Sequence, residues 1–363
     1  MSRGTRVIVH PNHLRHNLAV VQRSAPNRSV WAVVKANAYG HGLVAVARIF
    51  APLSSGLAVA TLDEALTLRA AGLNCPILLM EGVVSAEQTQ QAIAAGLELA
   101  LHHQEQIQWL AQAQVVAPVR VWLKIDTGMH RLGMSIAAVP SLLAELEGLP
   151  QVAEVALMTH YACADDPNSG VTAEQYQRIG PWLAGRTSSL GNSAAVLFWP
   201  DYQGDWVRPG IMLYGASPST LHSAARLGLR PTMTLAAPII ALRDLMPGDA
   251  VGYGAAFRAQ TPMRLATLAM GYADGYPRHA PNGTPAALHG QRIQVVGRIS
   301  MDMMTVDVTD VATAQLHDLV ELWGTTVSVD EVAQASGTIG YELLARLSIR
   351  GAIHYEDAPE EKN

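Results

Sequence analysis

From residue 30 to residue 210, short apolar runs alternate with stretches in which apolar residues recur every three or four positions. The runs predict strands buried on both faces, and the stretches between them predict amphipathic helices or short helical turns. The eight predicted strands lie at 30–34, 57–60, 77–80, 97–101, 119–125, 152–158, 188–190 and 206–207. Strands that alternate with helices pair in parallel, and eight of them predict a (β/α)8 barrel.

Two of the helices should begin at capping boxes, in which Ser or Thr is followed three residues later by Glu or Gln. Thr61 with Glu64 is one such pair, and Ser85 with Gln88 is the other. A doubly wound open sheet is the alternative arrangement for alternating strands and helices. No GxGxxG turn follows the first strand, so nothing in the chain requires a Rossmann site and the barrel is favoured.

The pattern changes near residue 231, where short strand-like runs become separated by Gly, Pro and Asp. These runs lie at 232–242, 264–270, 291–296, 303–308 and 319–323, and helical patterns return only at 329–335 and 341–347. Such spacing is typical of a mostly antiparallel β domain. We therefore predict two domains, a barrel at 11–228 and a β domain at 229–363.

Composition narrows the class of protein. A length of 363 residues suits two domains, and 49% hydrophobic with 15% charged residues suits a packed globular chain. The net charge of −5 argues against a nucleic-acid partner. No apolar run reaches the ~20 residues of a membrane helix, and residues 1–29 lack the apolar core of a signal peptide, so we expect a cytoplasmic protein. Cys75 and Cys163 are too few for a disulfide framework, and the histidines lack metal-site spacing, so we expect no catalytic metal.

Lys35 directly follows the first predicted strand, at the start of a turn that contains Asn37, Gly40 and Gly42. The carboxyl ends of barrel strands are where this fold places its chemistry. A partly desolvated amine at such a position is a usable nucleophile or base. The alternative is a lysine that simply extends from the strand end into solvent.

Other reactive side chains follow the later strands in the same way. They are Lys124 and Asp126 after the fifth strand, His160 after the sixth, Asn192 and Ser193 after the seventh, and Arg208 and Gly210 after the eighth. The loops after the last two strands offer a hydroxyl and backbone amides suited to a phosphate. Taken singly, His160 is more often a structural histidine and Gly210 a turn glycine. Their joint placement at one rim predicts an active site there.

The run VVKANAYGHG at 33–42 closely resembles the signature of alanine racemases, in which the lysine matching Lys35 carries pyridoxal 5′-phosphate as a Schiff base. The segments KIDTGMHRLG, RPGI, VGYGA, GYADGY and GRISMD follow in the family's order at 124–133, 208–211, 251–255, 271–276 and 297–302. The resemblance spans almost the whole chain, and it implies that an N-terminal strand in residues 1–10 joins the β domain. The tail LSIRG at 347–351 departs from the Arg-Val-Pro run of many relatives.

The resemblance implies a two-base mechanism, with Lys35 serving the D face of the substrate and Tyr253 the L face. A hydrogen-bond chain from Tyr253 through His160 to Arg208 would make the tyrosine a better base. Arg208 would face the pyridine nitrogen, where most enzymes with this cofactor place a carboxylate. In the family Tyr253 and Met301 come from the partner subunit, which implies a homodimer with shared sites.

The remaining implied roles concern cofactor and substrate binding. The implied cofactor-binding residues are Lys35, Tyr39, His160, Asn192, Ser193, Arg208, Gly210, Ile211 and Tyr341. The implied substrate-binding residues are Arg131, Tyr272 and Met301, the last through its amide. Lys124 matches a lysine that is often carbamylated and then holds the arginine matching Arg131, although a simple pairing of Lys124 with Asp126 is the plainer alternative.

We therefore hypothesise a racemase that interconverts L-alanine and D-alanine, either to supply D-alanine for peptidoglycan or to degrade it. A racemase of broader specificity, acting on serine or basic amino acids, is the main alternative. A non-catalytic carrier of pyridoxal 5′-phosphate would lack the second domain. A decarboxylase of this fold would use a cysteine in the second domain, whereas Cys75 and Cys163 both lie in the barrel.

Overall fold

The computed structural model describes residues 3–348, 350 and 352–357. The strands are β1 (Arg6–Val9), β2 (Ser29–Val33), β3 (Gly56–Val59), β4 (Ile77–Leu79), β5 (Glu98–Leu101), β6 (Val119–Asp126), β7 (Met134–Ser135), β8 (Val152–Met158), β9 (Ser188–Asn192), β10 (Trp206–Arg208), β11 (Met233–Leu245), β12 (Ala250–Val251), β13 (Phe257–Arg258), β14 (Met263–Leu268), β15 (Pro285–Leu288), β16 (Gln291–Val295), β17 (Met304–Asp307), β18 (Leu319–Trp323) and β19 (Ile353–Tyr355). The helices are α1 (Pro11–Ser24), α2 (Lys35–Tyr39), α3 (Leu43–Phe50), α4 (Leu62–Ala70), α5 (Ala86–Ala94), α6 (Gln104–Gln112), α7 (Val139–Glu147), α8 (Val171–Ile179), α9 (Ser193–Phe198), α10 (Val329–Ala335) and α11 (Gly340–Ala345). Residues 349 and 351 of the atypical tail segment lie outside the described residues.

Eight parallel strands, β2 to β6 and β8 to β10, form the first sheet. The sheet closes because β5 pairs with β6 and β10 pairs with β2. This closure confirms the predicted (β/α)8 barrel and excludes the open doubly wound sheet. The predicted strands match the observed ones to within two residues at each end, and helix α7 follows the fifth of them, as the alternation predicts.

Three tryptophans fill part of the barrel interior. Trp31 on β2 meets Trp122 on β6 with ring centroids 6.1 Å apart, although these strands do not pair, so the contact crosses the barrel. Trp206 on β10 stacks on Trp31 at 4.4 Å. Gly56 on β3 makes room for this packing, since a Cβ there would lie 2.2 Å from the Trp31 ring. The interior is therefore a packed core, and the chemistry is left to the rim.

One of the two predicted capping boxes forms completely. The Thr61 side chain accepts a hydrogen bond from the Glu64 N–H, and the Glu64 carboxylate accepts one from the Thr61 N–H. At the start of α5, Ser85 accepts from the Gln88 N–H, but the Gln88 side chain accepts from the Val84 N–H instead of completing the box. Both helices nevertheless begin where the sequence predicts.

The second sheet is an antiparallel ring of β11, β14, β17, β16, β15 and β18, which closes through pairing of β11 with β14. This ring confirms the predicted β domain. Strand β1 pairs with β11, and β19 extends the sheet by pairing in parallel with β1. The exact boundary between the domains, placed after residue 228, stays a prediction. Among the described residues, no helix has both the length and the apolar character needed to cross a membrane.

The β domain packs directly on the turn that follows β2. Gly40 approaches α11 so closely that a Cβ on it would lie 2.3 Å from the Leu344 carbonyl oxygen. The Tyr355 hydroxyl donates a hydrogen bond to the His41 carbonyl at 2.8 Å. The His41 ring is buried and hydrogen-bonded to the Thr232 hydroxyl at 2.8 Å. The Lys35 turn is thus clamped between the two domains.

Candidate active site

Lys35 begins α2, which is a left-handed turn at the carboxyl end of β2 and not a right-handed helix. Residues 36–39 have φ angles of 51° to 54°, a conformation that L-residues other than glycine rarely adopt in succession. Glu64 of α4 holds the turn by accepting a hydrogen bond from the Ala36 N–H at 2.6 Å, and Asn37 within the turn accepts one from the Leu43 N–H at the start of α3 at 2.9 Å. The backbone next to Lys35 is therefore fixed by tertiary contacts.

The Lys35 side chain enters a cleft of about 170 Å³ at the carboxyl ends of the barrel strands. The residues that line it are Lys35, Met80, Glu81, Lys124, Arg131, Leu132, Met158, His160 and Arg208. The Lys35 Nζ lies 3.6 Å from the Glu81 carboxylate, the one carboxylate among these lining residues. Four basic groups therefore face one acidic group, which makes the cleft attractive to an anion.

The sequence did not single out Glu81, which lies two residues after the end of β4. The signal that would have found it is the one that found Lys35, a charged residue following a buried strand. Its side chain is about half exposed. Its contact with Lys35 places it at the open side of the cleft.

Lys124 is buried in the cleft wall, and no ion pair joins it to a carboxylate among the residues that the structure describes. Burial, together with the positive charges of Arg208 and Arg131, lowers the pKa of Lys124 to about 8. Asp126 instead accepts hydrogen bonds from the Gly128 N–H and the His130 N–H and lies 2.9 Å from the His130 ring nitrogen. The plainer alternative of a Lys124–Asp126 pair is therefore wrong.

Arg208 is buried behind the cleft and held by carbonyl groups. Its guanidinium donates to the Ser189 carbonyl at 2.6 Å, to the Ser189 hydroxyl at 2.7 Å and to the Thr159 carbonyl at 2.6 Å. Burial lowers the pKa of Arg208 to about 10, so it remains a cation at neutral pH. Its Nη2 lies 3.4 Å from the His160 Nδ1. Desolvation and the Arg208 charge hold the pKa of His160 well below its usual value, so this ring is neutral.

A second group of polar atoms lies where β9 and β10 end. The Ser193 hydroxyl accepts hydrogen bonds from the Gly210 N–H at 2.8 Å and the Met212 N–H at 3.4 Å, and Asn192 caps α9 by accepting from the Ala195 N–H. Gly210 has φ of −116°, so its role is close approach rather than a left-handed turn. A Cβ there would lie 2.4 Å from the Tyr39 hydroxyl.

Two buried or half-buried phenols complete this group. Tyr39 stacks on Tyr214 with ring centroids 4.5 Å apart, and the Tyr341 ring lies 6.3 Å from the Tyr39 ring. Burial raises the pKa of Tyr39 and of Tyr341, so both stay protonated and act as hydrogen-bond donors. Ile211 is buried at the start of the turn after Gly210. Hydroxyls and close backbone amides of this kind suit a phosphate.

The predicted second-domain residues lie apart from this cleft. Tyr253 is 70% exposed in the turn between β12 and β13, and Met301 is 55% exposed. Tyr272 is next to Met301, because the Ala273 N–H donates to the Met301 carbonyl at 2.9 Å. Within the part of the chain that the structure describes, none of the three lines the Lys35 cleft, and Tyr253 makes no hydrogen bond to His160. All three are large apolar side chains that are exposed to solvent in the single chain.

The site and fold can be compared with those of known proteins. Residues 9–218 match the family described as alanine racemase, N-terminal domain, and residues 232–355 match alanine racemase, C-terminal domain. An alanine racemase of Stutzerimonas stutzeri is 48% identical over 94% of this chain and 96% of the relative. The crystal structure of the biosynthetic alanine racemase from Pseudomonas aeruginosa has a TM-score of 0.93 at 45% identity, covering 98% of this chain and 99% of that one.

The structure of alanine racemase from Acinetobacter baumannii has a TM-score of 0.90 at 40% identity, with 97% of this chain and 99% of that chain covered. Both family domains therefore match in order, and the likeness in sequence and in structure extends over nearly the full length. Together with a lysine at the end of the first barrel strand and the polar group after the last two strands, these matches place the chain in the alanine racemase family.

Proposed function

We propose that this protein interconverts L-alanine and D-alanine, with pyridoxal 5′-phosphate bound covalently at Lys35. The observation that carries the proposal is the position of the Lys35 amine in a cationic cleft at the carboxyl ends of the barrel strands. The same rim holds Ser193 and Gly210, which are suited to bind a phosphate. Lysine is rare in this chain, since only Lys35, Lys124 and Lys362 occur. Lys124 is buried in the cleft wall, whereas the Lys35 side chain is about a third exposed, so Lys35 is the accessible amine of the cleft.

The residues present fit this cofactor. Gly210 keeps the backbone close to the Tyr39 hydroxyl, and a larger side chain would fill that space. The phosphate would be held by Ser193, Asn192, Tyr39, Tyr341 and the amides of Gly210 and Ile211. When bound, pyridoxal 5′-phosphate supplies an electron-withdrawing ring that makes the α-proton of an attached amino acid acidic.

Two bases on opposite faces are needed, because inversion requires a proton to leave one face of Cα and return on the other. Lys35 takes or returns the proton on the D face and Tyr253 on the L face. His160 is neutral, and its Nδ1 lies 3.4 Å from the Arg208 Nη2. A neutral ring can accept a hydrogen bond from Arg208 at Nδ1 and donate one from its other nitrogen to the tyrosine. This contact is the half of the proposed Tyr253–His160–Arg208 chain that lies within one subunit.

Arg208 would determine which carbon receives the returning proton, because its guanidinium donates hydrogen bonds but does not lose its proton. Its guanidinium is a cation at neutral pH and is fixed by the Ser189 and Thr159 carbonyls. Facing the pyridine nitrogen, it would leave that atom unprotonated and limit electron withdrawal from Cα. The returning proton is then directed to Cα, as racemisation requires.

Substrate binding falls to Arg131, the amide of Met301 and Tyr272, which leave space for a small side chain. Lys124 is proposed to react with CO₂, in a step that turns its neutral amine into a carbamate and releases a proton. The carbamate anion would lie between Arg131 and Arg208 and would hold Arg131 toward the substrate carboxylate. The lowered pKa of Lys124 supports this step, because only the neutral amine reacts.

A homodimer with shared sites, a cytoplasmic location and supply of D-alanine for the cell wall complete the proposal. The exposure of Tyr253, Tyr272 and Met301 supports the dimer, since these residues do not reach the cleft of their own chain. A relative 47% identical to this chain is named a biosynthetic alanine racemase, which supports supply over degradation. Serine or basic amino acids as additional substrates remain the alternative to test.

The proposal is tested by following the circular dichroism of L-alanine, L-serine and L-lysine incubated with purified holoenzyme. We expect the L-alanine signal to decay to zero and the other two to change far more slowly. Lys35→Ala should abolish the decay and the cofactor retained after borohydride reduction, because it removes the covalent link. Lys362→Ala is the matched control and should keep both. A protein that retains the cofactor but leaves L-alanine unchanged, or an adduct that persists in Lys35→Ala, would contradict the proposal.

A further inference from the structure

Arg350, near the carboxyl terminus, joins two loops of the β domain through ion pairs. Its Nε donates to one Asp274 carboxylate oxygen at 2.8 Å, and its Nη2 donates to the other at 3.2 Å. The same Nη2 donates to the Asp302 carboxylate at 2.6 Å. Asp274 is buried, whereas Arg350 is about half exposed. A two-point arginine–carboxylate pair of this kind fixes geometry as well as charge.

Each aspartate belongs to a loop that carries a proposed substrate-binding residue. Asp274 ends the turn Tyr272–Asp274, and its side chain accepts a hydrogen bond from the Gly271 N–H at 3.1 Å. Asp302 directly follows Met301. Arg350 thus holds the Tyr272 loop through one aspartate and the Met301 loop through the other.

The two loops also pack backbone against backbone. The Tyr272 N–H donates to the Ser300 carbonyl at 3.1 Å and the Ala273 N–H to the Met301 carbonyl at 2.9 Å. A Cβ on Gly271 would lie 2.2 Å from the Met301 carbonyl oxygen. A shift of either loop would therefore move the Met301 peptide, which is the group that would bind the substrate carboxylate.

Arg350 also has an electrostatic effect at this position. The Asp302 carboxylate lies one residue from the Met301 amide, and an unbalanced negative charge there would repel a substrate carboxylate. Arg3 also approaches Asp302, with Nη2 donating to its carbonyl at 2.6 Å and Nη1 lying 3.5 Å from its carboxylate. Arg3 does not reach Asp274, so Arg350 alone of these two arginines connects both loops.

We propose that Arg350 is a positioning residue for substrate binding, which places the Met301 amide and Tyr272 and offsets the charge of Asp302. This inference rests on the proposed function, in which Met301 and Tyr272 bind the substrate. Arg350 itself touches neither cofactor nor substrate in this proposal. Its loss should weaken binding of ground state and transition state alike, which raises KM and leaves kcat nearly unchanged.

The test compares Arg350→Gln, Arg350→Lys and the matched control Arg3→Gln as holoenzymes. We expect Arg350→Gln to raise KM for L-alanine and D-alanine by about tenfold each with kcat within about twofold. Arg350→Lys should recover part of the loss, because it restores the charge but not the two-point geometry. Arg3→Gln should change KM by less than about twofold.

A second variant separates this role from a merely structural one. Adding Asp302→Asn to Arg350→Gln removes the carboxylate next to Met301 and should lower KM part of the way toward the wild-type value, while the buried Asp274 stays unpaired. An unchanged KM in Arg350→Gln would overturn the inference. So would a parallel loss of kcat, cofactor retention and melting temperature, because that pattern indicates a merely structural role. A double variant in which Asp302→Asn fails to lower KM would overturn it as well. Wild-type racemisation in the same assay tests the proposed function separately, because a wild-type failure shows as no decay of L-alanine at all.

Discussion

At the scale of single residues, burial of Lys124 creates an amine that is poised to react. Its pKa falls from an ordinary 10.5 to about 8, because water is removed and two arginines are near. At pH 7.5 about a quarter of this amine is then neutral, compared with about one part in a thousand for an ordinary lysine. Among the described residues no carboxylate forms an ion pair with it, because Glu81 in the same cleft lies against Lys35, so a carbamate would supply the missing negative charge.

We expect carbamylation of Lys124 to be detectable directly. Wild-type protein equilibrated with ¹³C-bicarbonate at pH 7.5 should show one protein-bound carbamate carbon by NMR, and the signal should weaken as the pH falls further below the pKa of about 8. Lys124→Met should lack the signal, because it fills similar space without an amine. A wild-type spectrum without the signal, or the same signal in Lys124→Met, would show that Lys124 is unmodified.

Assignment of the two faces to Lys35 and Tyr253 needs more than a racemisation rate. The enantiomers have equal free energy, so kcat/KM must be equal in both directions for every variant. Exchange of the α-proton with ²H₂O does separate the faces. In Tyr253→Phe, wash-in from L-alanine should fall by at least about a hundredfold, because the general base of that face is lost, while wash-in from D-alanine should persist through Lys35. Equal losses of deuterium wash-in from both enantiomers would contradict the assignment of separate faces.

Residues at strand ends could be predicted from sequence because the barrel fixes where strand ends lie. Lys35, Lys124, His160 and Arg208 meet in one cleft, as that reasoning expects. Their partners were not predictable in the same way. The hydrogen bonding of Asp126 to His130 and the approach of Gly210 to Tyr39 depend on loop geometry that no periodicity encodes.

At the scale of elements, the left-handed turn at 36–39 is the feature that sequence propensity could not predict. A left-handed conformation costs about 1–2 kcal/mol for each residue other than glycine. It persists because α11 and β19 of the other domain press on the turn at Gly40 and His41. The strand before Lys35 and the helix after it were predictable from local pattern, whereas the hand of the turn depends on contacts with residues about 300 positions away.

Helix α10 docks on the barrel through a carboxylate whose ionisation opposes folding. Asp330 accepts a hydrogen bond from the Ser217 N–H at 2.8 Å, and burial raises its pKa from 3.8 to about 6. Because the folded-state pKa is the higher one, the stability that this group contributes is fully present below about pH 4. It is lost as the pH rises through 6.

Asp330→Asn should therefore become more stable relative to wild type as the pH rises from 4.5 to 7.5. The gain is at most about 3 kcal/mol, which corresponds to a shift of about two pKa units. The hydrogen bond from Ser217 can be kept by the amide oxygen. Thermal unfolding of both proteins across this range measures the change, with Asp63→Asn at the exposed start of α4 as the matched control. A difference in melting temperature that does not vary with pH, or that varies equally in the control, would contradict the assignment.

At the scale of the whole molecule, one chain contains only part of the proposed site. Lys35, Arg131, His160 and Arg208 lie in its cleft, whereas Tyr253 is exposed on the β domain. Periodicity and spacing predicted both domains and left open whether two copies of the chain pair. That expectation came from the family resemblance, because an interface between copies has no signature in the hydrophobic pattern of one chain.

Mixing two inactive variants tests whether sites are shared across a dimer. Lys35→Ala subunits lack one base and Tyr253→Phe subunits the other. After random exchange half of the dimers are mixed, and each mixed dimer has one site with both bases, so activity should reach about a quarter of wild type. Lys35→Ala mixed with Arg208→Gln is the control and should show no gain over Arg208→Gln alone, because Lys35 and Arg208 line the same cleft of one chain. With subunit exchange verified by a tag, recovery only in the first mixture places the two bases on different chains. Absence of recovery in both mixtures would place Tyr253 in the same subunit as the lysine that it serves.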